Sequence, residues 1–311
     1  MLGRIVEIAS DACHISLYRG FLMVYQKGEG NRELGRIPLD DITAVIAHAH
    51  GLSYTNNVLV ALAERDIPFV LCNDRHSAVG MLWPVDGHHQ QARRFDAQIA
   101  ASLPKKKQLW ASIVKSKIAQ QAHALRYFTD SEHENYLMAL SKQVRSGDPD
   151  NKEAQAARFY WRVLFGDDFV RDRNAGDANA LLNYGYIVLR SAMARAVIAA
   201  GLHPSIGLHH SNDSNAMRLV DDLMEPFRPL VDFQVKKMLI QAVHAPKVSP
   251  ESKRQLVSCL YFDAVKGSDR CPVMVAMQKM ATSLAQVFLK DRKSLYIPER
   301  FSAAHESLDD E

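Results

Sequence analysis

The chain has 311 residues, 47% of them hydrophobic and 23% charged, which is an ordinary globular composition with room for two domains. The N-terminus carries an early Glu7 and lacks an apolar core, and the most apolar later stretch is interrupted by Arg190 and Arg195, so neither a signal peptide nor a membrane span is expected. The four cysteines lie far apart without a CxxC pair, which argues against a zinc ribbon or a disulfide framework and favours a reducing cytoplasm.

The first 85 residues predict a small β-rich domain with one helix. Short β-branched runs indicate strands at RIVEI, DITAVI, IPFVLC and SAVGMLWP, and HISLYRGFLMVY is typical of a hairpin that turns at Arg19-Gly20. Ser53 is placed to cap a helix through TNNVLVALAERD. The polar run PVDGHHQQARR contains a Pro and a Gly, so we place the domain boundary there, between 1–85 and 86–311.

A basic segment follows the boundary. The net charge of the chain is +3, but residues 91–128 hold eight basic groups and one acid, a local charge of +7. Such a concentration suggests a polyanion such as DNA as the partner, with a solvated helix face as the alternative. The candidate DNA-binding residues are Arg93, Arg94, Lys105, Lys106, Lys107, Lys115 and Lys117.

Nearly everything after the boundary has helical spacing, so the predicted fold class is α+β: a small N-terminal β-rich domain followed by a larger all-helical domain. SGDPDN breaks the chain, with Asp148 as a candidate N-cap and Pro149 at the first helical position. DANALLNYGYIVLRSAMARAVIAAG predicts a long helix that ends at Gly201.

Glu153 lies early in the helix after SGDPDN, on the face that it shares with Ala157, Tyr160 and Leu164. A carboxylate on an apolar face costs free energy unless something pairs with it. A metal ion would stabilise it, and so would a lysine or an arginine; position alone favours the ion pair, which is the commoner solution.

Two later segments complete the candidate site. GLHPSIGLHHSNDSN is a loop that holds His209 and His210, and RLVDDLMEPFRPLVDF is a helix that Pro226 should kink or end just after Glu225. The alternative for Glu225 is a weak surface ion pair with Arg228, three residues on. Two carboxylates and an imidazole suit Mg²⁺ or Mn²⁺, and such an ion polarises a phosphodiester. P-loop, dinucleotide and di-iron motifs do not occur.

The order EAQAARFYW, LNYGYIVLRSAMARAVIAAGLHPSIGLHH and DLMEPFRPLVD, behind a small β domain, resembles the CRISPR-associated integrases, which insert new spacers into a repeat array. ISLYRGFLMV and LSYTNNVLVALAERDIPFVLC resemble the family's N-terminal domain, and KKQLWASIVKSKIAQQAHAL resembles the start of its helical domain in type II systems. The resemblance thus covers essentially the whole chain. One departure is Ala154, where many relatives have glycine, and alanine suits a helix.

The resemblance implies that Glu153, His210 and Glu225 are the metal ligands and catalytic residues, with His210 chosen over His209 as the fourth residue of GLHH. Asp222 and Arg228 match positions that support the site or contact DNA. The implied enzyme is a Mg²⁺- or Mn²⁺-dependent DNA endonuclease and integrase, in which the 3′-OH of the donor DNA attacks the repeat phosphodiester.

The same resemblance implies an assembly. The N-terminal domain would dimerise, and two homodimers would be bridged by a small CRISPR-associated partner dimer into a heterohexamer. Double-stranded donor and repeat DNA would be bound, an RNA-guided effector nuclease would be a further partner, and no membrane would be involved. Two alternatives stay open: a metal-independent tyrosine recombinase, because HALR gives the spacing His123-x-x-Arg126, and a non-catalytic DNA-binding scaffold.

Overall fold

The computed structural model divides the chain into two compact units, Met1–Gln91 and Ala92–Glu311, here called the N-terminal and C-terminal units. The first is β-rich and the second mostly helical, which confirms the predicted α+β fold class. Along the described residues, no helix is both long enough and apolar enough to cross a membrane. The described residues are 4–28, 32–47, 49–73, 78–82, 84–85, 88–172, 175–241 and 247–302.

Over its described residues, the N-terminal unit has two four-stranded sheets, one α-helix and a 3-10 turn at Leu39–Asp41. One sheet has the order β1-β5-β7-β8, with β8 antiparallel to β7 and the other neighbours parallel, and the second has the order β4-β3-β2-β6. Its elements are β1 (Arg4–Ile8), β2 (Cys13–Tyr18), β3 (Phe21–Gln26), β4 (Arg32–Pro38), β5 (Ile42–Ala47), β6 (Ser53–Tyr54), α1 (Asn56–Ala63), β7 (Phe69–Cys72) and β8 (Ala78–Leu82).

The strand patterns explain this arrangement. All six residues of β5 are buried, as expected for an unbroken apolar run in the middle of a sheet. In β2 the alternation places Cys13 and Ile15 in the core. The predicted hairpin forms between β2 and β3, and Arg19 and Gly20 both have positive φ at its turn, as a two-residue hairpin loop requires.

Two local predictions in this unit were wrong or missing. Ser53 does not cap α1; it lies in β6, where its hydroxyl is 2.8 Å from Nδ1 of His14, and Thr55 takes the N-cap position. Strand β4 was not predicted, because RELGRIP contains a glycine and three charged residues and only half-buried positions at its end.

The C-terminal unit is built around two long helices. α3 contacts α4, α5 and α8, and α6 contacts α7, α8, α9 and α10. A small antiparallel sheet of order β10-β9-β11, which the sequence did not predict, lies within this otherwise helical unit. The elements are α2 (Gln91–Ile99), α3 (Leu103–Phe128), α4 (Ser131–Gln143), α5 (Lys152–Phe165), α6 (Asp177–Ala199), α7 (Arg218–Met224), α8 (Arg228–Gln241), α9 (Pro250–Ser258), β9 (Asp263–Lys266), β10 (Asp269–Pro272), α10 (Val273–Phe288) and β11 (Arg300–Ser302).

Two features of these helices set the position of the site. The helix around DLMEPFRP is interrupted as predicted, since α7 ends at Met224, a 3-10 turn covers Glu225–Phe227, and α8 begins at Arg228. At the crossing of α6 and α8, a Cβ on Gly185 would lie 2.4 Å from Cγ1 of Val231. The two helices can therefore approach this closely only because Gly185 has no side chain.

Candidate active site

Glu153 is fixed in the first turn of α5 by its N-terminal cap. Asn151 takes the N-cap position, and the carboxylate of Asp148 accepts hydrogen bonds from the backbone N–H groups of Lys152 and Glu153, each 2.9 Å long. The helix thus begins three residues later than predicted from Pro149. Asp148 still satisfies two of the donors that a helix start leaves free. These hydrogen bonds hold the backbone of Glu153 in place at the start of the helix.

Glu225 lies at the junction of α7 with the 3-10 turn. In a 3-10 turn, side chains three residues apart eclipse each other, and Arg228 accordingly brings its Nε within 2.7 Å of Oε1 of Glu225. This ion pair is the predicted alternative to a metal ligand, but it is not a surface pair, because the side chain of Glu225 is only 6% exposed.

Lys117 of α3 joins the two carboxylates. Its Nζ donates a 2.6 Å hydrogen bond to Oε1 of Glu153 and lies 2.5 Å from Oε2 of Glu225. The second contact is an ion pair without hydrogen-bond geometry, so among the described residues Oε2 of Glu225 is a buried oxygen that accepts no hydrogen bond. One ammonium therefore occupies the point on which both carboxylates converge.

The charges in this cluster stabilise one another. Burial alone would lower the pKa of Lys117, but the neighbouring carboxylates of Glu225 and Glu153 outweigh burial and raise it. Burial alone would raise the pKa of Glu225, but Arg228 and Lys117 outweigh burial and bring it down to about 2. Lys117 and Glu225 are consequently both charged at neutral pH.

The GLHH loop is held by Asp222, which is completely buried. Its Oδ2 accepts hydrogen bonds from the backbone N–H groups of Leu208 (2.6 Å) and His209 (3.1 Å), and its Oδ1 accepts one from that of His210 (3.3 Å). Oδ1 also lies 2.5 Å from Nδ1 of His210. Because a carboxylate can only accept, Nδ1 carries the proton, and in the neutral ring Nε2 keeps its lone pair.

Gly207 lets the loop approach Asp222 this closely. A Cβ at this position would lie 2.9 Å from Oδ2 of Asp222 and 3.0 Å from Cβ of Arg218. Both are tighter than an ordinary side-chain contact, so a larger residue would push the loop away from the carboxylate that orders it.

The two adjacent histidines have different surroundings. The ring of His209 stacks on Trp110 of α3, with centroids 4.3 Å apart and planes 2° from parallel. The ring of His210 is instead oriented by Asp222, whose hydrogen bond raises its pKa against the opposing effect of burial. The carboxylate of Glu225 also raises the pKa of His210, after the larger effect of Asp222.

A buried polar group lies behind the site. The hydroxyl of Tyr186 donates a 2.5 Å hydrogen bond to Oδ1 of Asp232, and the guanidinium of Arg228 lies over the ring of Tyr186, 4.7 Å from its centroid. Burial raises the pKa of Asp232 to about 7, although the hydrogen bond from Tyr186 opposes this shift. Arg228 is thereby held between the ring of Tyr186 and Glu225.

The donor set fits a hard divalent cation. Within the described ranges, no three His, Cys, Asp or Glu side chains lie at metal-binding spacing. The ammonium of Lys117 lies between Glu153 and Glu225. The buried Oε2 of Glu225, which accepts no hydrogen bond from the described residues, and Nε2 of His210 are nevertheless donors of the kind that Mn²⁺ and Mg²⁺ accept. A positive group already occupies the position between the carboxylates.

The candidate DNA-binding residues differ in their exposure. Arg93, Lys107 and Lys115 are exposed, whereas Arg94 donates a 2.7 Å hydrogen bond to the carbonyl oxygen of Ala200. Lys105 and Lys106 are half-buried. Lys117 is paired with the carboxylates of Glu153 and Glu225. The sequence held a signal for this role, because Lys117 follows the buried Ile113 and Val114 at helical spacing.

The chain matches one known protein family over most of its length. The profile of the family CRISPR associated protein Cas1 matches residues 6–252. A CRISPR-associated endonuclease Cas1 of Neisseria meningitidis serogroup C is 35% identical over 286 residues, 92% of each chain. Among solved structures, a casposase bound to integration product has a TM-score of 0.78 at 16% identity and covers 94% of this chain and 92% of that one. A Cas6-RT-Cas1–Cas2 complex has a TM-score of 0.72 at 18% identity, covering 94% of this chain and 36% of the matched chain.

Proposed function

Because the chain belongs to the family of CRISPR associated protein Cas1, we propose that it is a metal-dependent DNA endonuclease and integrase that inserts short foreign DNA fragments into a CRISPR repeat array. The observation that supports this most is the convergence of Glu153 and Glu225 on one buried cationic group. Two carboxylates from different helices gain nothing from such proximity unless a positive charge is to be held between them.

The residues that would hold the metal are Glu153, Glu225 and Nε2 of His210. When bound, Mg²⁺ or Mn²⁺ polarises the phosphodiester and orients the attacking hydroxyl. Asp222 fixes the tautomer and the direction of the imidazole, and Arg228 keeps the carboxylate of Glu225 ionised and in place.

The proposed reaction is transesterification. The 3′-OH of the donor DNA attacks a repeat phosphodiester, so one P–O bond forms as another breaks, and the leaving 3′-oxygen takes a proton. Holding both DNA molecules in line makes the attack effectively unimolecular, which contributes about 7–11 kcal/mol in favourable cases. The exposed basic residues Arg93, Lys107 and Lys115 would contact the phosphate backbone.

We further propose an assembly in the cytoplasm. The N-terminal unit would form the homodimer contact, and two dimers would be bridged by a small partner dimer into a heterohexamer on double-stranded DNA. The relative whose structure is described as a Cas6-RT-Cas1–Cas2 complex supports a Cas2-type partner. An RNA-guided effector nuclease would be a further partner.

The deciding assay compares a labelled donor ending in 3′-OH with one ending in 2′,3′-dideoxy, on a supercoiled repeat plasmid with Mn²⁺. Only the hydroxyl donor should be joined, and EDTA or Glu225→Gln should abolish joining. Equal joining of both donors would show that the 3′-OH is not the nucleophile.

The same gel distinguishes the alternatives. A protein–DNA adduct that forms in EDTA would indicate a tyrosine recombinase, although Arg126 pairs with Glu134 at 3.7 Å and His123 is half-buried on α3. DNA joining that depends on the partner and persists after loss of Glu153, His210 and Glu225 would indicate a scaffold.

A further inference from the structure

Lys117 occupies a position that a lysine rarely takes. Its side chain is 13% exposed, and it lies on the stripe of α3 that also buries Ile113, Val114 and Gln121. Lysine is seldom buried unless it is paired, because its ammonium loses hydration. Here the pairing partners are the two carboxylates proposed as metal ligands.

The geometry makes the ammonium an equivalent of a bound cation. It lies 2.6 Å from Oε1 of Glu153 and 2.5 Å from Oε2 of Glu225. The other carboxylate oxygen of Glu225, Oε1, is taken by Arg228, so Oε2 is the oxygen left for a second positive group. A divalent ion bound by both carboxylates would need the space and the oxygen atoms that Lys117 now uses.

Without a positive group, this part of the core would be costly. Two carboxylates that converge in a poorly hydrated place repel each other, and the buried Oε2 of Glu225 would face no donor. Lys117 removes this repulsion within the chain itself, so the carboxylates can keep their positions before any metal arrives.

We propose that Lys117 is a positioning residue that holds Glu153 and Glu225 together in the metal-free protein, and that a divalent ion binds by displacing its ammonium. This inference rests on the proposed function, in that the same two carboxylates are the metal ligands. It adds an internal competitor, which lowers the affinity for the metal while it preserves the shape of the site.

The competition predicts opposite effects on two properties. Replacing Lys117 with methionine keeps an unbranched side chain, one atom shorter, and removes its charge. The metal-free protein should then melt at a lower temperature, whereas Mn²⁺ should bind at least tenfold more tightly and raise the melting temperature by more than it does in the wild type. A lysine that merely filled space would give no gain in metal affinity.

The experiment measures Mn²⁺ binding by the EPR signal of the free ion, and thermal unfolding with and without Mn²⁺. The full-length wild type is compared with Lys117→Met, and the matched control is Lys142→Met, an exposed lysine on the neighbouring helix α4 whose loss should leave the Mn²⁺ affinity unchanged. A folded Lys117→Met protein with unchanged or weaker Mn²⁺ binding would overturn the proposal.

Two further measurements keep the outcome interpretable. If Lys117→Met does not fold, the ¹⁵Nζ NMR signal of Lys117 in the wild type should shift when Mg²⁺ is added, and an unchanged signal under saturating Mg²⁺ would refute displacement. Glu225→Gln tests the proposed function separately: if it binds Mn²⁺ as the wild type does, the metal site itself is misplaced, whatever Lys117 does.

Discussion

Asp222→Asn should separate folding from activity, because Asp222 acts through the tautomer of His210. The carboxylate accepts three backbone N–H groups and the Nδ1–H of His210. In the variant, the amide oxygen can still serve Leu208 and His209, which share Oδ2 in the wild type. The amide NH₂ then faces the backbone N–H and the Nδ1 of His210.

The size of each effect follows from these contacts. One buried backbone N–H of His210 loses its acceptor, which should lower the free energy of unfolding by about 1–3 kcal/mol. The NH₂ group can bond Nδ1 only when that nitrogen has no proton, so the proton moves to Nε2. Since Nε2 is then no longer available as a ligand, metal affinity and DNA joining should fall by at least about 10–100-fold.

The assay measures labelled-donor joining over a range of Mn²⁺ concentrations, together with denaturant unfolding. Asp213→Asn is the matched control, because Asp213 lies on the same loop with an exposed side chain that pairs only loosely with Arg218, at 3.7 Å. A folded Asp222→Asn protein that joins DNA at the wild-type rate would refute the tautomer argument. A variant that is inactive only because it is unfolded would leave Asp222 a purely structural residue.

Three further predictions concern the same unit. His210→Ala should abolish joining with the fold intact, whereas His209→Ala should keep most activity and lose about 0.5–1.5 kcal/mol of stability with its ring stacking; the reverse result in joining assays would show that the register of GLHH is misassigned. Replacing the exposed Arg93 and Lys107 with alanine should weaken binding to all duplex sequences alike. It should also reduce the slope of log affinity against log salt by about 0.9 per lost contact. An unchanged slope would show that these side chains are solvated and do not contact DNA. Burial raises the pKa of Asp232 from its ordinary value of 3.8 to about 7, so its contribution to stability is fully present below pH 3.8 and is lost as the pH rises through 7. The melting temperature of the wild type should therefore fall between these two pH values, and Asp232→Asn should make that fall smaller. An identical pH profile of the two proteins would contradict the burial argument.

The sequence predicted the elements whose local signals agree with their surroundings. The hairpin at Arg19-Gly20 and the interruption of the helix at Pro226 depend on backbone chemistry alone, and both were confirmed. β4 and the small sheet of β9, β10 and β11 were missed, because these short strands carry charged residues and receive their order from their neighbours.

The sequence indicated the candidate residues of the site better than the contacts between them. The position of Glu153 indicated that a metal ion or a basic side chain had to satisfy it, but one-dimensional spacing could not say which lysine, 36 residues away, would do so. The prediction that Lys117 binds DNA was based on the local charge of residues 91–128, and a sum of charges does not show whether a lysine faces solvent or the core. The hydrogen bonds of Asp222 join residues 12–14 positions apart through a loop, and no periodicity encodes them.

Gly185 does not take part in the chemistry, yet it determines how precisely the groups of the site are positioned. Val231, which touches the bare backbone of Gly185, belongs to the helix whose first residue, Arg228, is paired with Glu225. Since a Cβ would come within 2.4 Å of Val231, even alanine would force α8 to move, and an error of about 1 Å at reacting groups can cost about 100-fold in rate. A mutational scan that scores only activity would therefore class Gly185 with the ligands, although it offers no side chain to DNA or metal. Measuring folding and metal binding for each variant would distinguish a residue that sets the distance between two helices from one that takes part in the chemistry.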